Sequence, residues 1–222
     1  MTHEEIIQGL YDNTLVGNAP EVRDLVNQGL ADDLDPEKML YDGLIPSLEE
    51  VGARFERGDF FVPEMLIAAR AMQGALDILR PLLAETGAKQ VGTYVMGTVK
   101  GDVHDIGKNL VNIMLEGAGF TVHDLGVNVA PEKFVEQVQQ HEPDIVGFSA
   151  FLTTTMPMFK ANINALEKSG LRDKVIVMVG GAPVTQEYAD AVGADGYAAD
   201  ASTAVRLAKA LIENRRSAAA MA

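Results

Sequence analysis

The hydrophobic rhythm changes once along this chain, and that change limits what the chain can fold into. From Gln90 onward, five short β-rich runs appear: Val91 to Met96, Phe120 to Leu125, Asp144 to Ser149, Val175 to Val179 and Gly196 to Ala198. They alternate with helical patterns near 106–118, 131–141, 156–169, 184–192 and 201–214. Strands that alternate with helices read as crossover units and predict a parallel, doubly wound sheet. A flavodoxin-like, Rossmann-type order of 2-1-3-4-5 is the arrangement expected.

Residues 1–88 contain no convincing strand and instead repeat helical spacings, such as Val22, Leu25, Val26, Leu30 and later Met65, Ala68, Met72, Leu76, Leu79, Leu83. Four helices are predicted, starting at Thr2, at Asn18 with Pro20 in the first turn, at Asp35-Pro36 and at Pro63. Pro46 falls inside the third and should bend or break it, since proline lacks a donor and crowds the preceding turn. The Met-rich fourth helix reads as core. The expected organisation is therefore a helical domain at 1–88 and an α/β domain at 89–222, divided at the short polar segment Thr86-Gly87-Ala88-Lys89. The Ala-rich end from Ser217 reads as frayed.

With no cysteine among 222 residues, disulfides, zinc knuckles and thiol nucleophiles are excluded. No leader or long apolar run opens the chain, which points to a cytoplasmic protein and no membrane partner. A net charge of -14 repels phosphate backbones, and Arg215 and Arg216 are too few to form a basic patch, so no nucleic-acid partner is expected.

Chemistry concentrates where the first strand hands over to a helix, at Gly101-Asp102-Val103-His104-Asp105-Ile106-Gly107. In open α/β sheets this crevice beyond the strand carboxyl ends is the usual ligand site. Asp102 is placed to orient His104, as carboxylates do for metal-bound imidazoles. The same residues also fit a plainer assignment, with Asp102 as a helix cap and His104 as a loop residue. One histidine without Cys or a nearby second His cannot close a structural zinc site. A macrocycle that brings its own equatorial nitrogens needs only one axial protein ligand.

Two further segments sit at strand ends: Ser149 closes the third strand and Gly180-Gly181 follow the fourth. In the order 2-1-3-4-5, strands 1, 3 and 4 are neighbours, so all three segments would line one edge. Each alone also reads as an ordinary strand end or turn.

Together these segments resemble the cobalamin-binding domains built on D-x-H-x-x-G, S-x-L and G-G, with 41 residues between Gly107 and Ser149 and 28 between Phe151 and Gly180. Gly97 to Asn109, G-T-V-K-G-D-V-H-D-I-G-K-N, is similar to the form in cobalamin-dependent methionine synthase and the small corrinoid proteins of methyltransferase systems. Gly52 to Met65 resembles the cap module of the same proteins, and the likeness covers nearly the whole chain. Phe151 departs from the usual leucine of S-x-L, so the pocket beside it is expected to be narrower or to be shaped by Leu152.

The resemblance implies a cobalamin cofactor held base-off, with His104 as the lower cobalt ligand and Asp102 and Thr155 as its relay. It places Ser149, Phe151, Gly180 and Gly181 beside the detached nucleotide tail, with Thr153 and Ala201 near the corrin or that tail. Phe55 and Val62 match positions over the upper cobalt face. The implied activity is that of a non-catalytic methyl carrier cycling between Co(I) and methyl-Co(III). Its implied partners are a substrate-specific methyltransferase, an acceptor methyltransferase and a reductive activase. A hinge near Thr86 to Gln90 would let the cap move aside. Rival readings are a cobalamin-sensing regulator, for which no DNA-reading domain is present, a mutase cobalamin subunit, which would lack this cap, and a flavodoxin-like domain without a cofactor.

Overall fold

A computed structural model describes residues 1–86 and 91–221. Apart from Thr86, the predicted linker and hinge positions lie outside the described residues. The chain divides into two compact units, Met1–Lys89 with Gly117–Gly119, and Gln90–Glu116 with Phe120–Ala222.

The first unit is helical. α1 (His3–Leu15) starts on a capping box: the Glu5 amide donates to Thr2 Oγ1 at 3.2 Å and the Thr2 amide to Glu5 Oε2 at 2.8 Å. α2 (Ala19–Ala31) buries Val22, Leu25 and Val26, the spacing read from the sequence. The third predicted helix is continuous but changes pitch: α3 (Pro36–Lys38), a π-helical turn Met39–Leu44, then α4 (Ile45–Arg57). Pro46 explains this, because it cannot donate to the carbonyl four residues back. Widening the turn instead lets the Ile45 amide reach Leu40 O, five residues back. α5 (Val62–Thr86) carries Pro63 in its first turn and buries Met65 and Met72. It also runs through Pro81.

The second unit is a parallel sheet in the order β2-β1-β3-β4-β5, as expected. Its strands are β1 (Gly92–Thr98), β2 (Phe120–Asp124), β3 (Ile145–Ser149), β4 (Ile176–Gly180) and β5 (Gly196–Ala198). The helices are α6 (Ile106–Gly117), α7 (Pro131–His141), α8 (Pro157–Lys168), α9 (Gln186–Val192) and α10 (Ala201–Met221). α10 corrects the sequence expectation at both its predicted end and its frayed tail: it stays helical to Met221, where alanine, the strongest helix former, predominates.

Alternation along the strands separates two faces. Val95, Val146, Phe148, Val177 and Val179 pack with Phe134, Phe159, Ile163 and Leu166 in a core under α7 to α9. The opposite face lies under α10, since a Cβ on Gly92 would meet Ile212 and one on Gly196 would meet Leu207 and Leu211. The step from β1 to β2 runs opposite to the steps from β3 to β5. With right-handed crossovers this puts α6 on the α10 face. Thr98 pairs with Ser149 and Ser149 with Gly180, so the ends of β1, β3 and β4 lie side by side.

Candidate functional site

The loop that follows β1 is anchored from several directions. Val99 N–H donates to Ser149 O at 3.0 Å and Thr98 Oγ1 donates to His104 O at 2.9 Å. Gly101 takes a positive φ of 86°, and its amide donates to Asn128 Oδ1 at 2.8 Å. Asn128 in turn donates its own amide to Asp102 O at 2.9 Å.

Asp102 is fully buried, and each carboxylate oxygen has a distinct task. Oδ2 accepts from Thr155 Oγ1 at 2.6 Å, from Phe151 N–H at 2.8 Å and from Leu152 N–H at 3.1 Å. Oδ1 accepts from the His104 amide at 3.1 Å and lies 2.7 Å from His104 Nδ1. Burial pushes this carboxyl up, but the bonds from Thr155, His104 and the Phe151 and His104 amides outweigh it and hold its pKa well below the usual range. It is an anion, and an anion can only accept. Nδ1 therefore carries the imidazole proton, and the Nε2 lone pair is free to bind a Lewis acid.

His104 keeps 44% of its side chain exposed. The surrounding loops also expose apolar side chains: Val103 at 69%, Ile106 at 77%, and Phe151 and Leu152 beside the Asp102 bonds. A Cβ on Gly107 would meet nothing within 4 Å, so packing does not require glycine there and the surface beside His104 is left open. Asp105 accepts from Asn109 Nδ2 at 3.1 Å in the first turn of α6. An exposed apolar patch around one oriented imidazole suits a flat hydrophobic macrocycle. Among the described residues no group of three or more His, Asp or Glu could hold a metal ion alone. A single axial ligand is what these residues can offer.

The other predicted positions divide by location. Gly181 has φ 132°, and a Cβ there would collide with the Ala150 carbonyl, so only glycine fits. Ser149 and Gly180 lie in register at the strand ends, Thr153 is exposed in the loop before α8, and Ala201 is buried at the start of α10. The Phe151 ring stacks on the His104 imidazole, with centroids 4.3 Å apart and planes 26° from parallel. Phe55 and Val62 belong to the helical unit, both half-buried at the corner between α4 and α5. That corner is closed by Gly58 in the left-handed region and by the Phe61 amide donating to Glu64 Oε2 at 3.0 Å.

Sequence reasoning passed over Lys108, Asp124 and Asn128. Lys108 Nζ, buried in α6, donates to both oxygens of Asp124 at 2.7 and 2.6 Å and so ties the His-bearing segment to the end of β2. Its one sequence signal is its place directly after the motif glycine.

The family model described as the B12 binding domain matches residues 92–206, and a second model, also described as a B12 binding domain, matches residues 6–80. This chain belongs to the B12-binding family of corrinoid proteins. The dimethylamine corrinoid protein of Methanosarcina barkeri is 44% identical over 96% of this chain and 100% of its own length. Dimethylamine corrinoid protein 1 of Methanosarcina acetivorans is 43% identical over the same shares, 96% and 100%. In the crystal structure of the methanol:cobalamin methyltransferase complex of Methanosarcina barkeri, a 30% identical chain matches with a TM-score of 0.84, covering 95% of this corrinoid protein and 80% of itself. Cobalamin is the cofactor, and the sheet is the B12-binding, Rossmann-like fold. Among the described residues no helix is long and apolar enough to cross a membrane.

Proposed function

We infer that this corrinoid protein is a methyl carrier that binds cobalamin base-off with His104 as the lower axial ligand. Bound cobalamin supplies a cobalt centre that takes a methyl group from one substrate and yields it to another. The observation that carries the reading is the buried Asp102 carboxylate 2.7 Å from Nδ1 of a half-exposed His104.

The chain's own residues have separable tasks. Asp102 keeps the proton on Nδ1 and so presents Nε2 as a donor pair. Thr155 holds Asp102 from behind, and its hydroxyl is the next site to which a proton can be relayed. Gly101, Val103, Asp105, Ile106 and Gly107 shape the loop under the macrocycle. Ser149, Thr153, Gly180, Gly181 and Ala201 are assigned to the nucleotide tail, and Phe151 to packing against the ligand imidazole. By resemblance, Phe55 and Val62 shield the upper face. Residues 1–88 act as the cap and 89–222 as the cobalamin domain, with the hinge near Thr86 to Gln90.

The donor is a methylamine, dimethylamine first, because the relatives at 44% and 43% identity are dimethylamine corrinoid proteins whereas the methanol-complex chain is 30% identical. The partners are then a methylamine-specific methyltransferase, an acceptor methyltransferase and a reductive activase, all in the cytoplasm. The test is to incubate reduced holoprotein with isotopically labelled dimethylamine and a dimethylamine-specific methyltransferase. One label per corrinoid, transferable to an acceptor on adding the second enzyme, is the expected result. Failure of label to reach the protein would overturn the carrier assignment.

A further inference from the structure

Asp102 fixes where Nδ1 of His104 lies, but one bond to one ring nitrogen does not fix the plane of the ring. A hydrogen bond weakens steeply only as its angle falls toward about 120°, so a single bond leaves the imidazole room to tilt. Each tilt swings the Nε2 lone pair on the far side. With 44% of its side chain exposed, His104 is not held by general packing either.

Phe151 supplies the missing restraint. Its ring lies 4.3 Å from the imidazole, centroid to centroid, with the planes 26° from parallel, and a ring lying on another cannot tilt far before one edge meets its neighbour. The restraint is itself anchored. Phe151 N–H donates to Asp102 Oδ2 at 2.8 Å, the buried Ala150 before it donates to Gly180 O at 3.2 Å, and Leu152 O after it accepts from the Thr155 amide at 3.0 Å. One residue thus holds both members of the pair, the carboxylate by its backbone and the imidazole by its ring. The Phe151 side chain is half in solvent, at 51% exposed, so filling the core does not account for an aromatic there. The face of a benzene ring is also negative, so it favours an imidazole that gains positive charge as its lone pair is donated to a metal.

The geometry points to Phe151 as the positioning residue of the axial ligand: its ring fixes the plane of His104 and so tightens the bond that Nε2 makes to cobalt. This rests on the His104-ligation reading above. Phe151 stands where the S-x-L pattern has leucine, which offers no flat face, so the departure from the pattern is what sets the hold on the ligand in this chain. The quantity it governs is the ease of reduction. His104 has to let go when cobalt passes from Co(II) to Co(I), which takes no axial ligand, so whatever tightens its bond makes that reduction harder.

The test is the Co(II)/Co(I) midpoint potential of cobalamin-reconstituted protein, measured by spectroelectrochemical titration on wild type, Phe151→Leu and Phe151→Tyr, and on Phe151→Leu combined with His104→Gly. Losing one stacked ring pair should weaken the His104 bond about 2- to 10-fold. At about 59 mV per tenfold for one electron, Phe151→Leu should raise the midpoint by about 20–60 mV. Phe151→Tyr keeps the flat face and should stay at the wild-type value. On the His104→Gly background, Phe151→Leu should change nothing. An unchanged midpoint in Phe151→Leu, or the same rise without His104, would overturn the inference, the second because the ring would then act on the corrin directly. A midpoint that His104→Gly leaves at the wild-type value would instead sink the ligation reading itself. Nuclear magnetic resonance of the 15N-histidine-labelled apoprotein adds a readout without cofactor. Phe151→Leu should remove the upfield ring-current shift of the His104 ring protons while the nitrogen shifts still place the proton on Nδ1. Loss of that tautomer would mean that the substitution acts through Asp102, and would overturn the assignment to the ring.

Discussion

Replacing Asp102 with Asn changes one atom, and the bonding around that atom sets the outcome. Oδ2 faces Thr155 Oγ1 and the Phe151 and Leu152 amides, and those two amides cannot turn away. The asparagine oxygen must therefore take the Oδ2 side, which leaves its NH2 group facing His104. There it meets the His104 amide, a second donor at 3.1 Å from the replaced atom, and Nδ1 at 2.7 Å. Nδ1 can bond that NH2 only as an acceptor, so the imidazole proton moves to Nε2 and the ligand lone pair is lost. The stranded His104 amide costs about 1–3 kcal/mol. At this chain length that is a melting temperature roughly 2–10 °C lower. The assay is the visible spectrum of cobalamin-reconstituted protein beside the apoprotein melt. Asp102→Asn should give the spectrum of cobalamin with no axial nitrogen under conditions where wild type is His-ligated. A wild-type spectrum at full occupancy would refute the tautomer reasoning.

Asp124→Ala should lower the apoprotein melting temperature by about 4–8 °C, because it removes the counter-charge of the buried Lys108 ammonium and leaves it only the Asn109 Oδ1 bond, at a cost of about 2 kcal/mol, discounted for the partial exposure of Asp124. Lys108→Met together with Asp124→Ala should recover most of that loss in the same melt. Gly181→Ala puts a Cβ into the Ala150 carbonyl at φ 132°. It should cost at least ~3 kcal/mol, read as a loss of soluble folded protein or a far lower melt. The carboxyl of Asp102 has a depressed pKa when folded, so its contribution to stability is complete above the unfolded value of about 4 and fades as pH falls below it. The difference in melting temperature between wild-type and Asp102→Asn apoprotein should shrink as pH is lowered from 5 to about 3. A constant difference would contradict the buried-anion assignment.

The strands were legible because each is a short apolar run between turn residues, and their order followed from the alternation with helices. The same burial hides which strand residues face which layer of helices. A strand covered on both faces is apolar throughout, so β1 carries no alternation to reveal which side chains face α10. Phe151 is expected beside the tail pocket because it stands at the leucine of S-x-L, and its stacking on the His104 ring comes from the loop beyond β3, whose path the motif does not specify. Lys108 and Asp124 are 16 residues apart and meet only because β2 lies beside β1. Pro46 announced a disturbance, but its relief by a π-helical turn depends on where the preceding carbonyls find donors, which sequence alone does not specify. The Asp102–His104 pair was legible because two residues of spacing in a tight loop bring Oδ1 within reach of the ring, whereas the bonds of Oδ2 come from Thr155 and the Phe151 and Leu152 amides in the loop after β3, far along the chain.

Axial ligation by His104 can be read directly from electron paramagnetic resonance of the reconstituted holoprotein in its Co(II) state, prepared with unlabelled and with 15N-histidine-labelled protein. If Nε2 of His104 is bonded to cobalt, labelling changes the axial-nitrogen splitting from a triplet to a doublet, and His104→Gly abolishes it. A triplet that persists in labelled protein would mean that the cofactor's own base still holds the metal, contradicting His104 ligation and the tail placement built on it.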